Sequence, residues 1–272
     1  MTKFIKTRGA IPLFTLLVTA AGCGMLESHP YDVNISGGKH LTEKNIAMIE
    51  TVTLNRETIK FAMISDTQRG CDETANAVQA INARGDIDFV VHGGDLTEFG
   101  STREFEWQRD ILEKFSMPYV CVIGNHDCLA TGVDAYRSMF GALNFSFTAG
   151  NVLFLCLNTN ALEFDHSVPV PDIQFIKEEL KSLSPAVRKT VVLMHAGPFS
   201  EQFNNNIATE LHRLLCRFPD VQFFLYGHGH HVTADDLFDD GIMYYQCANI
   251  KKRSYLLFSI TDGGYEYEVV EF

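Results

Sequence analysis

Carboxylate, carboxamide and imidazole side chains recur along this chain, and each cluster follows a short apolar run. Residues 60–65 lead into Asp66-Thr67-Gln68, 88–92 into Gly93-Gly94-Asp95, and 118–123 into Gly124-Asn125-His126-Asp127. Residues 190–194 lead into His195, and 221–226 into Gly227-His228-Gly229-His230-His231. Oxygen donors from Asp, Asn and Gln, mixed with imidazole nitrogen, are ligand types for divalent metal ions. A single Gly-Asp pair or a single His after a strand is ordinarily a turn or a satisfied surface group. Five such clusters in order are not expected by chance. The adjoining glycines let the backbone turn sharply and approach closely.

To act together these clusters must share one edge of a sheet. Strands are predicted at 60–65, 88–92, 118–123, 152–157, 190–194, 221–226, 242–247, 254–260 and near 264–270. Several are near-continuous apolar runs, as in strands covered on both faces. Apolar residues at helical spacing predict helices over 172–184 (Ile173, Ile176, Leu180, Leu183) and 205–218 (Ile207, Leu211, Leu214, Phe218). A third helix is predicted over 102–115, capped by Ser101 or Thr102, and a fourth over 72–84. The βαβα order of the first half argues for parallel strands. The second half steps more directly from strand to strand, which predicts either one mixed sheet or two sheets packed face to face. In α/β sheets ligands bind at the carboxyl ends of strands, where all five clusters fall.

The ordered set resembles the calcineurin-like metallophosphoesterase family over residues 60 to about 255. That family's pattern is Asp-x-His, Gly-Asp, Gly-Asn-His-Asp/Glu, a later His, and Gly-His-x-His. The resemblance implies an α/β fold, a four-layer α/β/β/α sandwich of two mixed β-sheets flanked by helices, with residues 43–272 forming the phosphoesterase domain. It implies that Asp66, Gln68, Asp95 and His230 hold one divalent metal. Asp95, Asn125, His195 and His228 would hold a second, with Asp95 bridging. His126 would protonate the leaving group or stabilise phosphoryl charge, and Asp127 would orient His126. The implied reaction is hydrolysis of phosphomonoesters or phosphodiesters through a metal-bridging hydroxide. Gln68 stands where most members have His. Its neutral carbonyl oxygen shifts the expected metal toward Mn²⁺, with Fe or Zn as alternatives. Two dications against only two carboxylates leave a local surplus of positive charge that can draw in a phosphate. Two other readings are a non-catalytic metal- or phosphate-binding lipoprotein and a cyclic-nucleotide phosphodiesterase. The His126-Asp127 pair counts against the former, because a pure binder needs no proton donor.

The 272 residues are 46% hydrophobic and 21% charged, with a formal charge of −12, which suits a globular domain with a sizeable core. Lys3, Lys6 and Arg8 precede an apolar run that ends in Ala20-Ala21-Gly22-Cys23, similar to a bacterial lipobox. Residues 1–22 are therefore expected to be a lipoprotein signal peptide, with Cys23 acylated and 23–42 a tether. The protein would be exported and lipid-anchored to a bacterial cell envelope. Loss of the three leader cations takes the charge from −12 to −15. So acidic a surface repels nucleic acid, and the expected partner is a small phosphate ester taken by a monomer. No CxxC pair occurs among the cysteines, and a Cys71–Cys128 bridge is left open. His92, His231, Glu98 and Arg69 flank the clusters without belonging to the pattern. Phe164, His166, Phe199 and Phe203 are candidate pocket walls.

Overall fold

The computed structural model describes residues 33–164 and 168–272; the predicted leader, Cys23 and His166 lie outside them. Near-continuous apolar runs form strands buried on both faces. β1 (Ile59–Ile64), β2 (Phe89–His92) and β3 (Tyr119–Cys121) pair in parallel, and β10 (Ser254–Thr261) and β11 (Gly264–Glu271) extend the sheet antiparallel, in the order β11-β10-β1-β2-β3. The second sheet runs β4 (Phe145–Ala149), β5 (Val152–Leu157), β6 (Lys189–Met194), β7 (Val221–Tyr226), β9 (Met243–Gln246), β8 (Thr233–Asp235). Within it β5, β6, β7 and β9 are parallel, while β4 and β8 are antiparallel edges.

The two sheets meet face to face across an aromatic layer. Phe61 of β1 lies 5.3 Å from both Phe89 and Phe258 and 5.2 Å edge-on from Phe154 of the opposite sheet. The outer face of the first sheet packs Ala62, Ile64 and Val90 against α2 (Cys71–Arg84), α3 (Thr102–Leu112) and α4 (Gly132–Met139). The outer face of the second packs Leu155, Val192 and Phe224 against α5 (Ile173–Ser182) and α6 (Ala208–Leu215). Two mixed sheets between helical layers are the four-layer α/β/β/α sandwich, and face-to-face packing settles the alternative left by periodicity. No helix among the described residues is long and apolar enough to cross a membrane.

Four helices and strands were not expected: α1 (Leu41–Val52), which packs on β3 and β4, together with α4, β4 and β8. The end of the expected tether is also packed. Ile35 is only 4% exposed, and Ser36 N and Oγ bond Glu106 Oε1 at 2.8 and 2.6 Å. Folded contacts therefore begin before residue 43.

α3 opens with the expected cap. Ser101 Oγ accepts from Glu104 N, and Glu104 Oε2 accepts from Ser101 N at 3.2 Å, a reciprocal capping box. Ser101→Ala is expected to cost about 1 kcal/mol, read as a lowered urea midpoint at unchanged slope.

Candidate metal centre

Each cluster leaves a parallel strand at its carboxyl end: Asp66 and Gln68 after β1, Asp95 after β2, Asn125 and His126 after β3, His195 after β6, and His228 and His230 after β7. Hydrogen bonds from Asp66 N to Gly94 O and from Gln68 N to Asp95 O lock the first two loops together at 3.0 and 3.1 Å. Asp66, Asp95, His228 and His230 all have positive φ, between 52° and 66°. That left-handed conformation is uncommon outside glycine and concentrates at functional sites. Close approach explains two glycines. A Cβ on Gly124 would stand 2.1 Å from Asp95 Oδ1, and one on Gly94 would stand 2.5 Å from His195 Nδ1.

Five of these side chains gather into two groups that share Asp95. Donor atoms of Asp66, Asp95 and His230 lie within 4.8 Å of one another, and so do those of Asp95, His195 and His228. His195 Nδ1 donates to Gly93 O at 2.7 Å, so in the neutral ring Nε2 carries a lone pair. That nitrogen faces Asn125 Oδ1 at 3.0 Å and Asp95 Oδ1 at 3.4 Å, both acceptors. His228 repeats the arrangement: Nε2 meets Glu201 Oε1 at 3.2 Å, leaving Nδ1 to face the same Asn125 Oδ1 at 3.0 Å. Asp66 Oδ1 and Gln68 Oε1 are buried without a hydrogen-bond donor, although His230 Nε2 stands 3.3 Å from Asp66 Oδ1. Gln68 Nε2 is spent on Asp95 Oδ2 at 3.3 Å. Buried acceptors left facing acceptors are costly unless a cation lies between them.

Protonation supplies that charge when metal does not. Burial opposes a proton on His195, but the Asp95 carboxylate outweighs it and raises the ring to about 9. Burial likewise opposes charge on Asp95, yet His195 holds its carboxyl below the usual range. The adjacent Asp66 carboxylate raises His230, whereas burial lowers His228. Metal entry must displace the proton from His195, so loading weakens as pH falls.

His126 lies beside both groups. Its N–H donates to Asp95 Oδ1 at 2.9 Å, and its Nδ1 donates to the Glu98 carbonyl at 2.9 Å. Asp127 does not orient that ring. It is fully buried, and its carboxylate accepts from the amides of Leu96, Thr97 and Gly124 and from Thr97 Oγ1. The 3-10 turn His126–Cys128 aims the two neighbours in different directions, so Asp127 staples the β2 and β3 loops and Glu98 holds the imidazole.

The remaining candidates divide similarly. His92 is buried and structural: Nε2 meets Thr67 Oγ1 at 3.0 Å, Nδ1 accepts from Gly94 N, and burial lowers it to about 4. His231 is exposed, its Nδ1 bonded to the Gly229 carbonyl. Arg69 pairs with Glu98 at 2.7 Å. Phe203 is buried in the core behind α6 and, with Phe164, lines a surface cleft bounded by Val168 and Asn204, whereas Phe199 is exposed. The six described cysteines are all free, so Cys71 and Cys128 are not bridged. Glu201 was missed; its only sequence signal was its place in the 196–205 loop.

A two-sheet α/β sandwich that brings carboxylate, imidazole and carboxamide donors together at its strand ends defines a metal-dependent hydrolase. The chain belongs to the calcineurin-like phosphoesterases, whose family model matches residues 59–232, and that family works with divalent metals at a dinuclear site. It is 25% identical over 155 residues to a 3',5'-cyclic-nucleotide phosphodiesterase of a Nostoc species, covering 54% of this chain and 57% of that relative's length. Its fold is similar to a dimetal phosphatase from Danio rerio (TM-score 0.60, 13% identity, 79% of this chain and 99% of that one). It is also similar to GAP50, the anchor in the inner membrane complex of Plasmodium (TM-score 0.58, 14% identity, 79% and 85%).

Proposed function

We propose that the protein hydrolyses small, accessible phosphomonoesters or phosphodiesters at this centre. The observation that carries the reading is the convergence on Asp95 of two ligand groups, Asp66 with His230 and His195 with His228, each with donor atoms within 4.8 Å of one another. In this reading Asp66, Gln68, Asp95 and His230 hold one divalent ion, and Asp95, Asn125, His195 and His228 hold the other. Ions bound there supply positive charge to the phosphoryl oxygens and acidify water at neutral pH. Gly93 O and Glu201 fix the tautomers of His195 and His228, presenting Nε2 and Nδ1 respectively. His126, anchored through Nδ1 by Glu98 O, has Nε2 left to pass a proton to the leaving oxygen.

The Gln68 carbonyl favours Mn²⁺ in the first position. Gln68→His is therefore expected to tighten metal retention by about tenfold, about 1.4 kcal/mol, in a chelator competition. Unchanged metal content and unchanged turnover would show that Gln68 is not a ligand. Export and a lipid on Cys23 belong to the same proposal and rest on residues 1–23 alone.

The direct test is to load the purified chain with Mn²⁺ and assay a panel of mono- and diesters. Turnover of at least one ester supports the reading; absence of both turnover and phosphate binding sinks it. The Nostoc relative favours a second reading, a 3',5'-cyclic-nucleotide phosphodiesterase, which turnover confined to cyclic nucleotides in that panel would establish.

A further inference from the structure

A second cluster of ligand types lies on the outer side of the six-stranded sheet, on residues the dinuclear centre does not use. His212 is in α6, and Cys216 follows at the helix end four residues on, so both fall on one face. Asp240 comes from the loop between β8 and β9. His212 Nε2 is 2.7 Å from Asp240 Oδ2 and 3.4 Å from Cys216 Sγ. Donor atoms of all three lie within 4.8 Å of one another.

The supporting contacts that ligation requires are already present. The buried Tyr244 hydroxyl sits 2.9 Å from His212 Nδ1, where a ligating imidazole places its other N–H. Ile242 N donates to Asp240 Oδ1 at 3.1 Å, which leaves Oδ2 turned toward His212. Asp236 shapes the loop by accepting from Asp240 N and Gly241 N. Phe238 stacks on the imidazole with centroids 4.1 Å apart and planes 9° from parallel, shielding one ring face.

We propose that His212, Cys216 and Asp240 form a separate mononuclear site for a zinc-class dication that pins the β8–β9 loop to α6. Thiolate and imidazole select zinc over manganese. Zinc bonds of about 2.0–2.3 Å in a tetrahedron put donors about 3.3–3.6 Å apart. The nitrogen–sulfur distance of 3.4 Å already fits. The nitrogen–oxygen contact of 2.7 Å must open by about 0.6 Å. Asp240, with a side chain 39% exposed on a loop, is free to give way. On loading, Cys216 releases its proton to solvent. The His212 proton moves from Nε2 to Nδ1 and is donated to the Tyr244 oxygen, while Nε2 and the thiolate give electron pairs to the ion. Solvent fills the fourth position. Phe238 also touches Phe199 at 5.4 Å, in the loop that carries Glu201 and so reaches His228. Occupancy would thus firm one wall of the phosphoesterase centre.

The test is to titrate the metal-stripped full chain with Co²⁺. Up to three equivalents should develop a thiolate-to-cobalt charge-transfer band in the near ultraviolet, which an equal amount of zinc should abolish. The dinuclear centre competes for added metal, but it has no cysteine among its proposed ligands and so cannot itself give this band. Cys216→Ser should remove the band, Asp240→Asn should weaken apparent affinity at least tenfold, and Cys71→Ser should change nothing. No band in the native chain, a band that survives Cys216→Ser, or one lost with Cys71→Ser would overturn the site.

Discussion

Asp95→Ala is expected to strip the centre of both ions and cut phosphoester turnover by at least about 1000-fold, on the order of 4 kcal/mol of transition-state stabilisation. Asp95 is the residue common to both donor groups. It also accepts the His126 amide at 2.9 Å and the Gln68 side-chain amide at 3.3 Å. Its removal takes away a shared charge and releases two neighbouring loops together. Metal counting by mass spectrometry beside steady-state rates checks this. Retention of two ions by the variant would show that Asp95 does not bridge.

His126→Ala should separate chemistry from binding. Turnover is expected to fall by about 100- to 10,000-fold, the usual worth of a positioned acid, while both ions stay bound. The ring is held through the Glu98 carbonyl and belongs to neither donor group, so its loss leaves those groups intact. Esters with poor leaving groups should suffer most, because they depend most on a delivered proton. If wild type and variant are equally inert while metal content holds, the protein is a binder rather than a catalyst.

The strand-end clusters were legible because three signals coincide there: an apolar run, a glycine, and a donor side chain. β1, β2, β5, β6 and β7 are buried almost throughout, and such strands read as continuous hydrophobic stretches. α1 was not legible because its buried face, Leu41, Thr42, Asn45 and Ile49, carries two polar residues. Asn45 is there for a bond rather than for burial, its Oδ1 accepting from Tyr119 N at 3.2 Å. β4 alternates over five residues as an edge, and β8 has only three, too short for periodicity to register. The role of Asp127 could not be read from adjacency to His126. A carboxylate beside an imidazole in sequence suggests a partner, but the tight turn gives it to backbone amides from two other segments. Glu201 shows the converse: contact between the loops that follow β6 and β7 leaves no local pattern.

The centre straddles a seam. Asp66, Asp95 and Asn125 ride on one sheet, while His195, His228 and His230 ride on the other, and elsewhere the sheets meet mainly by apolar contact across the Phe61 layer, with the Tyr245 and Tyr265 hydroxyls paired at 3.0 Å. Ions seated among these residues would act as rivets through two plates, so tolerance of heat and resistance to chelators become a single property of the molecule. A substitution deep in the aromatic layer that lets the plates slide would then be felt first as a loosened grip on metal, before any loss of folded structure.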